Sequence, residues 1–234
     1  MQGTLLIDKP AGWTSFDVVN KVRRMAETSG FNTTGRKRFP VGHTGTLDPL
    51  ATGLLVLLLG KATRDAMMLT KLDKTYEVTM KLGETSTTGD DEGEKTHASD
   101  VRPAREELEA ALQKFVGDSM QTPPAFSAIK INGQRAYKLA REGKAPELTA
   151  RPIHIEAIKL ASYEYPFVKF TADVSSGTYI RSLVEDLGKM LGTGAYMSAL
   201  RRTRVGTFDI ANALSMEDLT PESLGRSVVV APIS

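Results

Sequence analysis

Apolar positions follow two periods along this chain. Leu54 to Leu59 are six apolar residues in a row between Gly53 and Gly60, a length and bracketing that predict a buried strand. In "KTYEVTMKLG" the alternation is strict, with Tyr76, Val78, Met80 and Leu82 on one face and Thr75, Glu77, Thr79 and Lys81 on the other. Thr4 to Ile7 reads as a further strand, closed by "DKPAGWTS". Helical spacing takes over from Ser15, a capping residue, through Val18, Val19, Val22 and Met25. A second helix is predicted from Pro103 through Leu108, Leu112 and Phe115. A third starts from Tyr179 and carries Ile180, Leu183, Val184, Leu187 and Leu191 on one stripe, with Gly192 at its end.

Between these lie weaker signals. Ser127 to Ile131 reads as a strand, Asn132-Gly133 as a tight turn, and Ala136 to Glu142 as a short helix ended by Gly143. "RPIHIEAIKL" and "FVKFTADV" read as two more strands. Thr28 to Arg38 is a polar, basic loop, and "GETSTTGDDEGEKTHASD" a long acidic loop too polar to be buried. Hairpin-like strands mixed with helices predict an α+β (mixed α/β) fold.

Composition changes this picture only in places. With 234 residues, 41% of them hydrophobic, the chain can bury a sizeable core as one domain, with room for a small subdomain around residues 74–150. Thirty Lys and Arg against 28 Asp and Glu leave a formal charge of only +2, so local clusters matter more than the sum. Lys21, Arg23 and Arg24 form one cluster; Arg36, Lys37 and Arg38 a second; Arg201, Arg202 and Arg204 a third. Each is a candidate phosphate contact where its members share a face. Cysteine is absent and the three histidines lack ligand spacing, so no metal, disulfide or thiolate chemistry is expected. No stretch is long and apolar enough to span a bilayer, which suits a cytoplasmic protein without a membrane partner.

The stretch "VGHTGTLDPLATGLLVLLLG", Val41 to Gly60, sets a lone Asp48 among glycines ahead of the apolar run. A phosphate-binding loop is one reading, but the Gly-Lys-Ser/Thr ending is missing and a strand follows instead of a helix. A plain Asp-Pro turn is a second. A rigid loop presenting one carboxylate as a nucleophile is the third.

The same residues carry a resemblance. "GHTGTLDPLATGLL" resembles the active-site motif of the TruB family of tRNA pseudouridine synthases. In matching order come "LLIDKPAGWTSFDVVNKVRR", "DKTYEV", "TGDDEG", "SAIKINGQRAYKLAREG", "ARPI", "SSGTYIRSLVEDLG" and "LRRTRVG". The resemblance implies the pseudouridine synthase fold, a central and largely antiparallel sheet flanked by helices beside an active-site cleft. It implies that the chain isomerises uridine 55 in the T-arm of tRNA, after the base is flipped out of its stack. Asp48 is then the nucleophile, attacking ribose C1' or uracil C6. Arg181 is its basic partner, and Tyr76 stacks on the uracil and assists proton transfer. His43 fills the space left by the flipped base, while Tyr179 lines the pocket by hydrogen bonding and Leu200 by apolar contact. Asp90 and Lys130 match positions near the RNA, with no chemistry assigned. No cofactor is implied, and a monomer is expected. The competing readings are a noncatalytic RNA-binding or tRNA-folding module that keeps the pocket, and a pseudouridine synthase acting on another RNA.

Members of this family typically carry a small C-terminal PUA domain. This chain stops at Ser234, and the expectation is a single catalytic domain without one. Thr28 to Pro40 is longer than the usual link before "GHTG", and Arg36, Lys37 and Arg38 there are expected to compensate as RNA contacts.

Overall fold

The computed structural model describes residues 1–33, 37–127, 129–131, 133–136, 139, 142, 144 and 148–229. Along the chain the strands are β1 (Gly3–Lys9), β2 (Val41–His43), β3 (Thr52–Leu59), β4 (Lys74–Leu82), β5 (Glu84–Ser86), β6 (Lys95–His97) and β7 (Gly117–Gln121). They continue with β8 (Lys130–Ile131), β9 (Gln134–Arg135), β10 (Arg151–Glu164), β11 (Phe167–Val174), β12 (Ala195–Val205), β13 (Phe208–Asp209) and β14 (Leu214–Ser215). Helices α1 (Ser15–Thr28), α2 (Ala66–Thr70), α3 (Arg105–Gln113), α4 (Ile180–Met190) and α5 (Pro221–Ser227) are interspersed. The mixed α+β class read from the pattern holds. The chain forms two compact units, Met1–Tyr76 with Arg201–Ser234, and Glu77–Leu200.

In the first unit β3 is the central strand. From Leu54 to Leu59 it is buried on both faces, as the unbroken apolar run required. One edge pairs antiparallel with the whole of β1, from Gly3 opposite Leu59 to Lys9 opposite Gly53. The other edge is shared between β2, antiparallel at Leu57 to Leu59, and the end of β12, parallel at Thr52 and Gly53. A parallel β14 flanks β1. The α1 stripe buries Val18, Val19 and Val22, with Ala26 continuing it where Met25 was expected.

The cap of α1 is Thr14 instead of Ser15. Thr14 and Asp17 form a reciprocal capping box, the Thr14 hydroxyl accepting from the Asp17 amide at 3.1 Å and the Asp17 carboxylate from the Thr14 amide at 3.0 Å. Ser15 sits inside the first turn, because its hydroxyl is used by a distant partner described below.

The second unit is built on the long β10–β11 hairpin, with β7 antiparallel on the outer edge of β10 and with β4 and then the first half of β12 beyond β11. The alternation in β4 is real: Tyr76, Val78, Met80 and Leu82 are buried. Helix α3 is shorter than its stripe suggested, ending before Phe115, and rests on the sheet through Leu108, Ala111 and Leu112. Gln113 Nε2 donates to the Ile158 carbonyl of β10 at 3.0 Å.

The acidic stretch departs from its expectation of an exposed loop. It contains a short hairpin, β5 with β6, paired from Glu84 opposite His97 to Ser86 opposite Lys95. Asp90 inside it is 3% exposed, a burial that composition argues against and a partner charge makes possible. Of the strand expected from Ser127, Lys130–Ile131 pairs with Gln134–Arg135. The helix expected over Ala136 to Glu142 falls largely outside the described residues, as does Arg36. Among the described residues no helix is long and apolar enough to cross a membrane, and no group of three or more His, Cys, Asp or Glu could hold a metal ion.

Gly53 shows how tightly β3 and β12 approach. Its φ is +98°, and a Cβ there would lie within about 3 Å of three Arg202 backbone atoms. Gly53→Ala should therefore destabilise the protein by on the order of 3 kcal/mol, from left-handed strain and overpacking together. Urea unfolding should show a lower midpoint; an unchanged midpoint would contradict this close approach.

Candidate active site

The Asp48 loop belongs to the first unit and is held almost entirely by its own backbone carbonyls. The turn itself closes when the Ala51 amide donates to the Asp48 carbonyl at 3.1 Å, with Pro49 at the second position where its fixed φ fits. On the side entering the loop, β2 ends at His43, and the Thr44 amide donates to Val56 O at 3.1 Å. The Asp-Pro turn and the catalytic-loop readings thus describe the same geometry.

Distant groups clamp the loop between these ends. The Ser15 hydroxyl donates to Leu47 O at 3.0 Å and accepts from Leu47 N at 2.8 Å, fixing the residue before Asp48 to the start of α1. The fully buried Lys9 amine donates to three carbonyls, Trp13 at 2.7 Å, Pro10 at 2.9 Å and Pro49 at 3.3 Å. The Gly12 amide also donates to Pro49 O, at 2.9 Å. The guanidinium of Arg202, only 2% exposed, donates through Nε to Leu54 O at 2.8 Å and through Nη2 to Gly45 O at 3.1 Å.

These groups make the loop's surroundings strongly positive. Burial pushes the Lys9 amine down to about 8, against the pull of the Asp48 carboxylate, which raises it, and with the Arg202 charge lowering it further. Lys74, also buried, is pushed down to about 8, mainly by burial and then by Arg202. Asp48 itself is half-buried.

His43 is half-buried on the same segment, and its Nδ1 accepts from the Gly45 amide at 3.3 Å. Burial, and then the charge of Arg202, lower its pKa below the ordinary 6.5. Both effects favour a neutral ring. Tyr76 closes this unit at 8% exposure.

The other three candidates, Tyr179, Arg181 and Leu200, lie in the second unit. Tyr179 is the N-cap of α4, and its backbone is bracketed by buried Gln121, which accepts from its amide at 2.8 Å and donates to its carbonyl at 3.0 Å. Two residues on, Arg181 is buried at 7% exposure. Its Nη1 donates to Thr88 O at 3.1 Å and lies 3.4 Å from Asp90 Oδ2, while Nη2 donates to Phe126 O at 2.7 Å. The Asp90 carboxylate also accepts from the Thr88 hydroxyl and the Glu92 amide, so the buried pair is hydrogen-bonded on both sides. Glu185, one turn beyond Arg181, has its pKa raised chiefly by burial. Leu200 is half-buried near the middle of β12.

Sequence reasoning missed Lys9, Ser15, Gln121 and Arg202 as clamps. It grouped Arg202 with Arg201 and Arg204 as one basic face. In β12 successive side chains point to opposite faces: Arg201 forms a two-pronged pair with Asp8 at 3.0 and 2.6 Å, while Arg202 turns inward. That inward placement was legible only as alternation within a strand the basic run concealed.

Comparison with known proteins matches residues 33–180 to the TruB family pseudouridylate synthase N-terminal domain and residues 181–225 to the tRNA pseudouridylate synthase B C-terminal domain. The chain is 45% identical over 219 residues to tRNA pseudouridine synthase B of Pseudomonas aeruginosa, covering 94% of this chain and 69% of that protein. To the protein of the same name from Clostridium novyi it is 43% identical over 229 residues, covering 98% and 76%. Among solved structures it resembles a chain of a Cbf5-Nop10-Gar1 complex, with a TM-score of 0.70 and 31% identity, covering 93% of this chain and 53% of that one. A chain of an H/ACA RNP bound to a substrate RNA containing 2'-deoxyuridine gives 0.66 and 29%, covering 93% and 52%. The chain spans about half the length of these two solved chains.

Two histidines give a direct check on the electrostatics. His154 of β10 is held between Asp118 at 2.7 Å and Glu156 at 3.2 Å, and these hydrogen bonds, Asp118 first, raise its pKa. Its contribution to stability is therefore present below the ordinary 6.5 and is lost as pH rises through its raised value. For His43 the sign reverses: stability is full above 6.5 and declines as pH falls toward its lowered value. In an NMR titration His43 should titrate below 6.5 and His154 above it, and Asp118→Asn should move only His154 down. The opposite order would contradict the burial of His43.

Proposed function

Since the chain belongs to the TruB family of pseudouridylate synthases, we propose that it converts uridine 55 in the T-arm of tRNA to pseudouridine, with Asp48 as the nucleophile. The observation that supports this most is the Asp48 loop: a half-buried carboxylate on a turn whose flanking carbonyls are tied to Ser15, Lys9 and Arg202. A nucleophile that must meet a single carbon gains most from being fixed before the substrate arrives.

The reaction breaks the bond from uracil N1 to ribose C1', turns the base, and forms a bond from C5 to C1'. The C5 hydrogen leaves as a proton and the freed N1 takes one up, so the product is an isomer of the substrate with no change of oxidation state. Asp48 attacks C1' or C6, and either route ends in that loss. The other roles in this reading follow the family resemblance: Arg181 as basic partner, Tyr76 stacked on the uracil, His43 in the vacated space, and Tyr179 and Leu200 lining the pocket. A neutral His43 suits its role, since it can replace a base in the stack without carrying charge into it. The bacterial relatives' names supply the tRNA substrate. Extrusion of the base requires the loop nucleotides to be held from outside, by phosphate contacts and shape.

Tritium release from a T-arm stem-loop labelled at uridine C5 tests this reading. The native protein should release tritium, and Asp48→Asn should slow release by on the order of 10⁴-fold while binding RNA as well as the native protein. Binding without release by the native protein would favour the noncatalytic RNA-binding reading. Equal release from unrelated hairpins would favour a different RNA substrate.

A further inference from the structure

Within the first unit, where the chain leads through β2 toward the Asp48 loop, lies an open groove of about 440 Å³, lined by Phe16, Arg23, Arg38, Pro40, Gly42 and Thr63 among others. Its size is that of a small-ligand site. Phe16 is 64% exposed, a large aromatic ring left on the solvent side of α1 although the Val18, Val19, Val22 and Ala26 face of that helix is buried. Phe39 forms the floor and is fully buried. No residue lining the groove is acidic, and two are arginines.

The arginines differ in what they can do. Arg23 is committed to the wall, donating through Nε to Phe39 O at 3.2 Å, through Nη2 to Val41 O at 3.1 Å and through Nη1 to Asn20 Oδ1 at 2.7 Å. It fixes the backbone leading to His43 and contributes a stationary positive charge. Arg38 is exposed, next to exposed Lys37, and can reach a ligand. Phe16 follows Ser15, whose hydroxyl holds Leu47 beside Asp48, and Gly42 precedes His43. Two lining residues of the groove are thus chain neighbours of residues that hold or enter the loop carrying the candidate nucleophile.

A flat exposed ring with a fixed cation behind it and a reachable cation beside it is the chemistry that holds one single-stranded nucleotide: the base stacks on the ring and the phosphate meets the guanidinium. We infer that this groove binds a nucleotide neighbouring the extruded uridine, with its base on Phe16 and its phosphate at Arg38. The inference rests on the proposed RNA substrate and adds a second holding point, outside the reacting pocket, that keeps the loop splayed open.

The test uses the full chain and a T-arm stem-loop in which 2-aminopurine replaces, one at a time, each loop nucleotide other than the target. One position should be quenched on binding, the quench should vanish in Phe16→Ala and return in Phe16→Trp, and Phe16→Ala should weaken RNA affinity roughly tenfold. Arg38→Ala should lower the slope of log affinity against log salt by about one. Native affinity and unchanged fluorescence in Phe16→Ala would overturn the inference. So would a concentration-dependent dimer, seen by sedimentation and abolished by Phe16→Ala, which would assign the groove to a second copy of the chain. Affinity and fluorescence are read whether or not tritium is released, so a native protein that binds without turnover would sink the proposed activity while leaving the groove to be judged separately.

Discussion

Arg202 carries a charge at 2% exposure, and a buried charge is costly unless hydrogen bonds replace the water it loses. The acceptors it finds are the carbonyls of Gly45 and Leu54, one on each side of the Asp48 turn. The need is mutual. A glycine-rich loop folded against a sheet has carbonyls that β pairing cannot reach, and each left unsatisfied costs about 1–3 kcal/mol. Lys9 repeats the arrangement at Pro10, Trp13 and Pro49, so the two buried cations satisfy carbonyls of the Asp48 loop and of the turn after β1. At the same place Gly53 pairs with Arg202 in the parallel register of β3 and β12, where only hydrogen fits against the Arg202 backbone.

The second unit solves a similar problem with the signs exchanged. Asp90 is buried in a stretch of acidic, hydroxyl-rich sequence because Arg181 reaches it, and Arg181 is in turn held by the carbonyls of Thr88 and Phe126. Gln121 then fixes the start of the helix that carries Arg181. In each unit a candidate functional side chain sits on a segment whose backbone polar groups are met by a few long-range side chains. Preorganisation of this kind is what a covalent mechanism asks of its scaffold.

Sequence patterning revealed what local periodicity encodes. The β3 run, the β4 alternation, the α1 and α4 stripes and the Asp48 turn were all legible, because each depends on neighbours two to four residues apart. The clamps were not. Ser15 looked like a helix cap, yet its partner Leu47 is 32 residues away, and the cap passed to Thr14. Arg202 looked like part of a solvated basic run, while its acceptors lie 148 and 157 residues away. Asp90 looked exposed by composition and is buried because of a residue on another element. Long-range satisfaction of polar groups leaves no periodic trace, so for the site the motif was readable and its support was not.

The account's central claim is that the Asp48 loop is rigid before any substrate binds, because Arg202, Lys9 and Ser15 hold its carbonyls. Native-state hydrogen exchange at the amides of Thr44, Leu47 and Ala51 tests it most directly, since these donate to Val56 O, Ser15 Oγ and Asp48 O. In the free protein they should exchange nearly as slowly as the amides of β3, and in Arg202→Met they should exchange much faster while the β10–β11 hairpin stays protected. Rapid exchange at these amides in the native protein would contradict the claim.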